Sequence, residues 1–192
     1  GNLHLVRVLA GAWLQAQGLS ELHVLCLGLC LSLAQGSGLR WLVRGEAAVA
    51  VLNKSSLVLA GLILGLLSVN YVGAPNLEDV TPMRFVVSGV MAWLAGWYFR
   101  RAARHPGPGE TAYVDYLEGL YHYGMVLALW CAALLVPWLR QPALALVALS
   151  LPLFFFYTRA EVGQRRGQPE GRRYRNSAAV LGFVIIALYI FK

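Results

Sequence analysis

Long apolar runs alternate with short polar or basic connections along most of this chain. A helix that crosses a membrane needs about 20 consecutive, mostly apolar residues, because each residue adds about 1.5 Å along the axis. About six segments approach this length and predict membrane-spanning helices at residues 19–35, 55–73, 83–99, 112–136, 142–158 and 177–191. We therefore predict an all-α, polytopic integral membrane helical bundle with a single transmembrane domain at residues 1–192. The last segment is short, so we expect a fragment of a chain that continues beyond Lys192.

The first residues have a different pattern, in which apolar and polar positions fall on opposite sides of a helix. At about 100° per residue, Leu3, Val6 and Trp13 lie on one side, while polar residues such as Arg7 lie on the other. An apolar side that contains Trp is typical of a helix at the membrane surface. Residues 3–18 are therefore predicted to form an amphipathic interfacial helix, and the alternative is an extension of the first span.

Composition supports a membrane location. Hydrophobic residues make up 58% of the chain and charged residues 13%, whereas soluble domains carry about 25% charged residues. Because six crossings and their connections use nearly all of the residues, the sequence predicts no separate soluble domain.

The distribution of positive charge predicts an orientation. The chain carries 16 Lys and Arg residues against 9 Asp and Glu residues, and its net charge is +7. Most of the positive residues lie in the connections at 36–54, 100–112 and 159–176, which fall on the same side if every predicted span crosses. Basic connections face the cytoplasm in membrane proteins. The pattern thus predicts a bacterial inner membrane protein, and it argues against nucleic acid as the partner.

One face of the fourth predicted span carries the candidate chemistry. Asp115, Glu118 and His122 fall on a single helix face within an otherwise apolar segment. Ionisable groups are costly in hydrocarbon, so the three are candidate catalytic or proton-relay residues, and Glu118 with His122 forms a weak candidate metal pair. A structural alternative is equally simple, because acidic residues stabilise the positive end of a helix dipole. Basic residues that follow the third predicted span, Arg100 among them, are candidates to pair with these acids.

The segment after the fifth predicted span is the most basic part of the chain. Its positive residues are candidates for binding anionic lipid or a cytoplasmic partner: Arg159, Arg165, Arg166, Arg172, Arg173 and Arg175. The alternative is that they only fix the orientation of the chain.

Small residues recur at helical spacing on two predicted spans. Gly28 and Ser32 lie one turn apart on the first, and Gly61, Gly65 and Ser68 form a stripe on the second. Small residues at this spacing allow two membrane helices to approach closely, so these positions are predicted helix-packing sites.

Recognisable catalytic and cofactor motifs are absent from the sequence, so no cofactor is predicted. The three cysteines lie inside apolar segments, where a thiol acts as a small packing group. The sequence therefore favours a non-catalytic membrane subunit, such as a scaffold, anchor or sensor module. Its predicted partners are membrane lipids and other membrane subunits, or further copies of this chain. The alternative is a small transporter or membrane-embedded enzyme that uses Asp115, Glu118 and His122.

Overall fold

The computed structural model describes residues 1–39, 42, 45–72, 77–104, 113–167, 171, 174–179, 182–183 and 186. About 90% of the described residues are helical, and no strand occurs among them, which confirms the all-α prediction. The long helices are α1 Asn2–Ala16, α2 Glu21–Leu39, α3 Glu46–Val72, α4 Pro82–Arg104, α5 Val114–Ala133 and α6 Pro142–Arg165. Short 3-10 helices at Leu77–Asp79 and Pro137–Arg140 lie between α3 and α4 and between α5 and α6.

Local sequence explains where several helices begin and end. Gly18 follows α1 with φ +75°, a left-handed backbone that glycine adopts without a steric cost. Glu21 opens α2, where its negative charge stabilises the positive end of the helix. Pro142 lies in the first turn of α6, where the missing N–H would have had no partner within the helix. Gly167, with φ +63°, follows the end of α6.

The turn at Gly18 folds α1 back along α2. The Asn2 side chain donates to Ser32 Oγ at 2.9 Å and to Gln35 Oε1 at 2.8 Å, while Arg7 forms an ion pair of 2.5 Å with Glu21. The N-terminal helix thus exists as predicted, but it runs antiparallel beside α2 and does not extend it. Its position at the membrane surface stays a prediction.

The remaining neighbours are also antiparallel. Cross-helix contacts join α2 to α3 through His23 and Asn70, with Nε2 and Nδ2 separated by 3.4 Å. The Tyr71 hydroxyl at the end of α3 donates to the Arg84 carbonyl near the start of α4 at 3.3 Å. Trp130 Nε1 near the end of α5 donates to the carbonyl of Ala145 near the start of α6 at 2.9 Å. The helices therefore form an up-and-down bundle.

Two glycines allow a close backbone contact between α4 and α5. A Cβ at Gly124 would lie 2.8 Å from the Cα of Gly96 and 2.9 Å from the carbonyl oxygen of Ala92. Side chains at these two positions would force the backbones apart, so glycine is what allows α4 and α5 to touch. The largest fully buried side chains in the bundle include Phe85 and Phe99 of α4.

The up-and-down order gives the bundle two chemically different ends. At the first, here called the basic end, α2, α4 and α6 stop and α3 and α5 begin, and the described parts of all three basic connections lie there. At the other, here called the far end, α2, α4 and α6 begin, and the acidic Leu77–Asp79 turn lies there. The grouping of the basic connections at one end follows the prediction.

Helix bounds differ most from the prediction in α3. It begins at Glu46, inside the segment predicted to be a connection, because alanine, valine and leucine continue the helix back to that residue. Lys54 is exposed on its surface. Most of the predicted span at 177–191 lies outside the described residues, as do Arg172 and Arg173.

Two helical segments are long and apolar enough to cross a membrane by length and composition, Glu21–Leu39 and Ala48–Tyr71. Only 28% of the first segment and 22% of the second is buried inside the bundle. Their apolar side chains therefore face outward as well as inward. The number of crossings stays a prediction.

Candidate functional site

The three predicted site residues lie on successive turns of α5, beginning in its first turn. Asp115, Glu118 and His122 are each partly buried, and all three belong to the half of α5 nearer the basic end. A hydrogen bond of 2.9 Å joins His122 Nδ1 to Ser177 Oγ, and Ser177 is almost fully buried. The imidazole thus links α5 to the helical segment 174–179.

Aromatic rings enclose the imidazole of His122 on several sides. Its centroid lies 5.1 Å from those of Tyr121 and Phe156 and 5.9 Å from that of Tyr174. The Tyr174 ring is nearly parallel to it, at 23°. Such packing fixes the orientation of the imidazole and joins α5, α6 and the 174–179 segment around it.

Metal-binding side chains do not gather around this histidine. Across the described ranges, no three or more His, Cys, Asp and Glu residues lie close enough together to hold a metal ion. A tetrahedral zinc site needs three or four protein ligands. Glu118 and His122 are one turn apart on α5. Within the described part of the chain, no third His, Cys, Asp or Glu lies close enough to complete a site with them.

Two arginines of the predicted basic group contact aromatic side chains. Arg100 donates from Nη1 to the Tyr121 hydroxyl at 2.8 Å, and its guanidinium lies 4.9 Å from the centroid of that ring. Arg101 lies 5.8 Å from the ring of Trp97 on its own helix. The Arg100 bond ties α4 to α5 one turn beyond Glu118. Pairing of these arginines with Asp115 and Glu118 stays a prediction.

A second polar cluster, which the sequence did not predict, lies at the far end around His23. This side chain is fully buried, and both ring nitrogens have hydroxyl neighbours: Nδ1 lies 2.7 Å from Ser20 Oγ and Nε2 lies 3.2 Å from Ser88 Oγ. Asn70 Nδ2 lies 3.4 Å from Nε2. One imidazole thus joins α2, α3 and α4. The only sequence signal was a histidine in the first turn of a helix, beside Ser20 at its start.

Two further arginines at the far end donate hydrogen bonds to backbone carbonyls. Arg84 donates from Nε to the carbonyl of Gly18, in the turn between α1 and α2. Arg140 is buried; its Nε donates to the Leu134 carbonyl at 2.8 Å and its Nη1 to the Val80 carbonyl at 3.4 Å. The Arg140 guanidinium also lies 5.2 Å from the centroid of the Phe85 ring. Both arginines thus donate hydrogen bonds to carbonyl oxygens in turns, which have no backbone N–H partner within a helix.

The predicted helix-packing residues have different environments. A Cβ at Gly28 would lie 3.1 Å from the Cα of Leu3, so α1 fits closely over this glycine. Ser32 accepts a hydrogen bond from Asn2. On α3, Ser68 hydrogen-bonds with the Tyr123 hydroxyl of α5.

The two glycines of the α3 stripe differ in exposure. A Cβ at Gly61 would lie 3.9 Å from the Phe99 ring, an ordinary contact distance. Gly65 is exposed on the outer surface of α3.

The close backbone contact at Gly96 and Gly124 was not among the predicted positions. A sequence signal for it exists, because Ser88, Ala92 and Gly96 are small residues at four-residue spacing. Gly124 and Ala128 repeat the same spacing on α5.

The described part of the basic run belongs to α6 and the residues after it. Arg159 lies over the ring of Phe155 at 5.8 Å, and Arg165 forms an exposed ion pair of 3.2 Å with Glu161. Arg166 and Arg175 are exposed. These four arginines present positive charge at the basic end.

No family model, curated protein or solved structure matches this chain. Its function is therefore argued from its own residues.

Removing the hydrogen bond between His122 and Ser177 should have a measurable cost. A double-mutant cycle of His122→Ala and Ser177→Ala is expected to give a coupling free energy of about 1 kcal/mol. The measurement is unfolding in mixed detergent micelles, followed by circular dichroism. As a control, His122→Ala combined with Ser150→Ala should give a coupling below about 0.5 kcal/mol, since the Ser150 hydroxyl donates to the Val147 carbonyl. Equal coupling in both cycles would show that His122 does not act through Ser177.

Proposed function

We propose that this chain is an integral membrane subunit without catalytic activity of its own, which packs against other membrane helices and presents its basic end to the cytoplasm. The observation that carries the proposal is the apolar outer surface of the bundle. Water favours polar outer faces on the helices of a soluble bundle, whereas lipid favours apolar ones. The outer faces of this bundle are those that lipid favours.

The outer face of α4 illustrates this surface. Val86, Val90, Trp93 and Trp97 recur at helical spacing, and each residue is between 45% and 52% exposed. Contiguous exposed apolar patches are uncommon on soluble monomers and mark contact with membranes or partners. The outward apolar faces of α2 and α3 add to the same surface.

The proposed arrangement has crossings at α2, α3, α4, α5 and α6, and a sixth in the segment 177–191. Since α1 runs beside α2, it shares the depth of α2 in the bilayer. The basic end faces the cytoplasm of a bacterial inner membrane, and its arginines contact lipid headgroups or a cytoplasmic partner.

The surroundings of His122 favour a subunit over a transporter or enzyme. The cavity beside it is lined mainly by apolar side chains, including Met125, Leu129 and Leu151. A path for ions or polar substrates would need several polar groups along this wall.

The exposed glycine on α3 supports a contact with a partner helix. Gly65 lies on the outer surface between the exposed side chains of Leu62 and Val69. A glycine between large apolar residues forms a notch into which another helix can fit. The partner is a different subunit or a second copy of this chain.

The test is the size of the assembly extracted from native membranes in a mild detergent. The full chain should elute as a complex larger than 21.0 kDa plus its detergent, and Gly65→Leu should reduce the complex to a folded monomer. The matched control is Gly38→Leu, because Gly38 is also exposed on a helix. A stable monomer from native membranes, or equal dissociation by both variants, would contradict the proposal.

A further inference from the structure

A groove open to the outside lies between α5 and α6 and spans the middle of both helices. Its volume is about 550 Å³, and its wall is mostly apolar, with Met125 and Leu129 on α5 and Leu151 and Phe155 on α6. Sites that hold small organic molecules have volumes of about 300 to 1,000 Å³. Its mostly apolar wall suits an apolar occupant.

The groove has a direction along the bundle. Its lining on α5 extends from Leu129 to Tyr121, a distance of about 12 Å along the helix axis. Tyr121 lies toward the basic end, and Leu129 lies toward the far end, four residues before the end of α5 at Ala133. An occupant that enters the groove therefore lies along the helices.

Positive charge is concentrated at one end of this groove. The aromatic residues of the lining nearest the basic end include Tyr121 and Phe155, and each is contacted by a guanidinium. Arg100 lies 4.9 Å from the Tyr121 centroid, and Arg159 lies 5.8 Å from the Phe155 centroid. Both arginines are exposed. The groove thus combines an apolar wall with a cationic mouth.

We propose that this groove binds an anionic phospholipid of the cytoplasmic leaflet, with one acyl chain between α5 and α6 and the phosphate at Arg159 and Arg100. The inference rests on the proposed membrane location, because only there does an acyl chain already surround the bundle. Guanidinium groups bind phosphate through several charge-assisted N–H donors. A zwitterionic lipid fits the same wall but has no net charge to match the mouth.

The test measures lipids bound to the purified full chain by native mass spectrometry, with phosphatidylglycerol and phosphatidylcholine titrated separately. The wild type should prefer phosphatidylglycerol, and Arg159→Gln should weaken its binding about fivefold, as expected for one basic residue at an anionic lipid. Arg166→Gln is the matched control: Arg166 is exposed at the end of α6, away from the groove lining, and its loss should weaken phosphatidylglycerol binding less than Arg159→Gln does. Leu151→Trp, which fills the groove, should reduce the binding of both lipids.

Several outcomes would overturn the inference. Equal binding of the two lipids by the wild type would show that the charge of the lipid does not determine binding. An equal loss in Arg159→Gln and Arg166→Gln would indicate attraction by the whole basic end, and unchanged binding in Leu151→Trp would exclude the groove. A cross-link from position 151 to another polypeptide would assign the groove to a partner subunit. Failure of the chain to insert into vesicles would instead refute the proposed membrane function, so the two failures are distinguishable.

Discussion

Gly124→Leu is expected to destabilise the bundle by about 3 kcal/mol or more, because overpacking at a backbone contact cannot be relieved by a side-chain rotation. Even a Cβ at this position would lie 2.8 Å from the Cα of Gly96, and a leucine side chain needs far more space. The helices α4 and α5 would have to separate, and the buried residues around them would be exposed. The measurement is the unfolding midpoint in mixed detergent micelles, followed by circular dichroism.

Gly38→Leu is the matched control for this prediction. The same substitution at this exposed position on α2, where a Cβ meets nothing within 4 Å, removes a flexible residue from a helix and should leave the midpoint unchanged or slightly higher. Equal destabilisation by the two variants would mean that α4 and α5 do not meet at Gly124.

Arg140→Met is expected to destabilise the far end by about 2 to 4 kcal/mol, because hydrogen bonds from a charged donor contribute about 1.5 to 3 kcal/mol each. Methionine has a similar length but donates no hydrogen bond. The carbonyls of Leu134 and Val80 would lose their partner, and the Phe85 ring would lose the cation beside it. Free energies of unfolding of the variant and the wild type give the difference.

Arg166→Met controls for the loss of a positive charge. Arg166 is exposed after the end of α6, so this variant should change the free energy of unfolding by less than about 0.5 kcal/mol. If Arg140→Met were equally neutral, the far end would not depend on its buried arginine.

The helical nature of the bundle was predictable because it depends on local patterns. Apolar runs bounded by turn residues predicted the starts of α4, α5 and α6, and the end of α5, to within a few residues. The helices α4 and α6 extend further toward the basic end than predicted. The antiparallel order followed from the short connections, which in turn brought the basic segments to one end. Composition added the membrane environment, which stays a prediction.

Contacts between residues that are far apart in the sequence could not be predicted from it. His23 meets Ser88, 65 positions away, and no periodicity indicates such a pairing. Similarly, the direction of α1 depends on the turn at Gly18 and on its cross-helix bonds from Asn2 and Arg7. A helical pattern defines which side of a helix is apolar, but it does not determine which neighbour that side meets.

The sequence predicted the helix face that carries the candidate site, but not the residues that surround it. Helical spacing placed Asp115, Glu118 and His122 on successive turns of α5. The aromatic rings around His122 and its bond to Ser177 come from α6 and from the 174–179 segment. These contacts are made by other parts of the chain, so the face alone gave no information about them.

The most direct test of the central claim, that the bundle crosses the membrane with its basic end in the cytoplasm, is cysteine labelling in intact cells. Glu78→Cys at the far end and Arg166→Cys at the basic end are both at exposed positions. The native Cys26 and Cys131 are buried and Cys30 is partly buried, so labelling of the wild type is subtracted as the background. A membrane-impermeant maleimide should label Glu78→Cys in intact cells and Arg166→Cys only after permeabilisation. Labelling of both positions from outside, or of neither before permeabilisation, would contradict it.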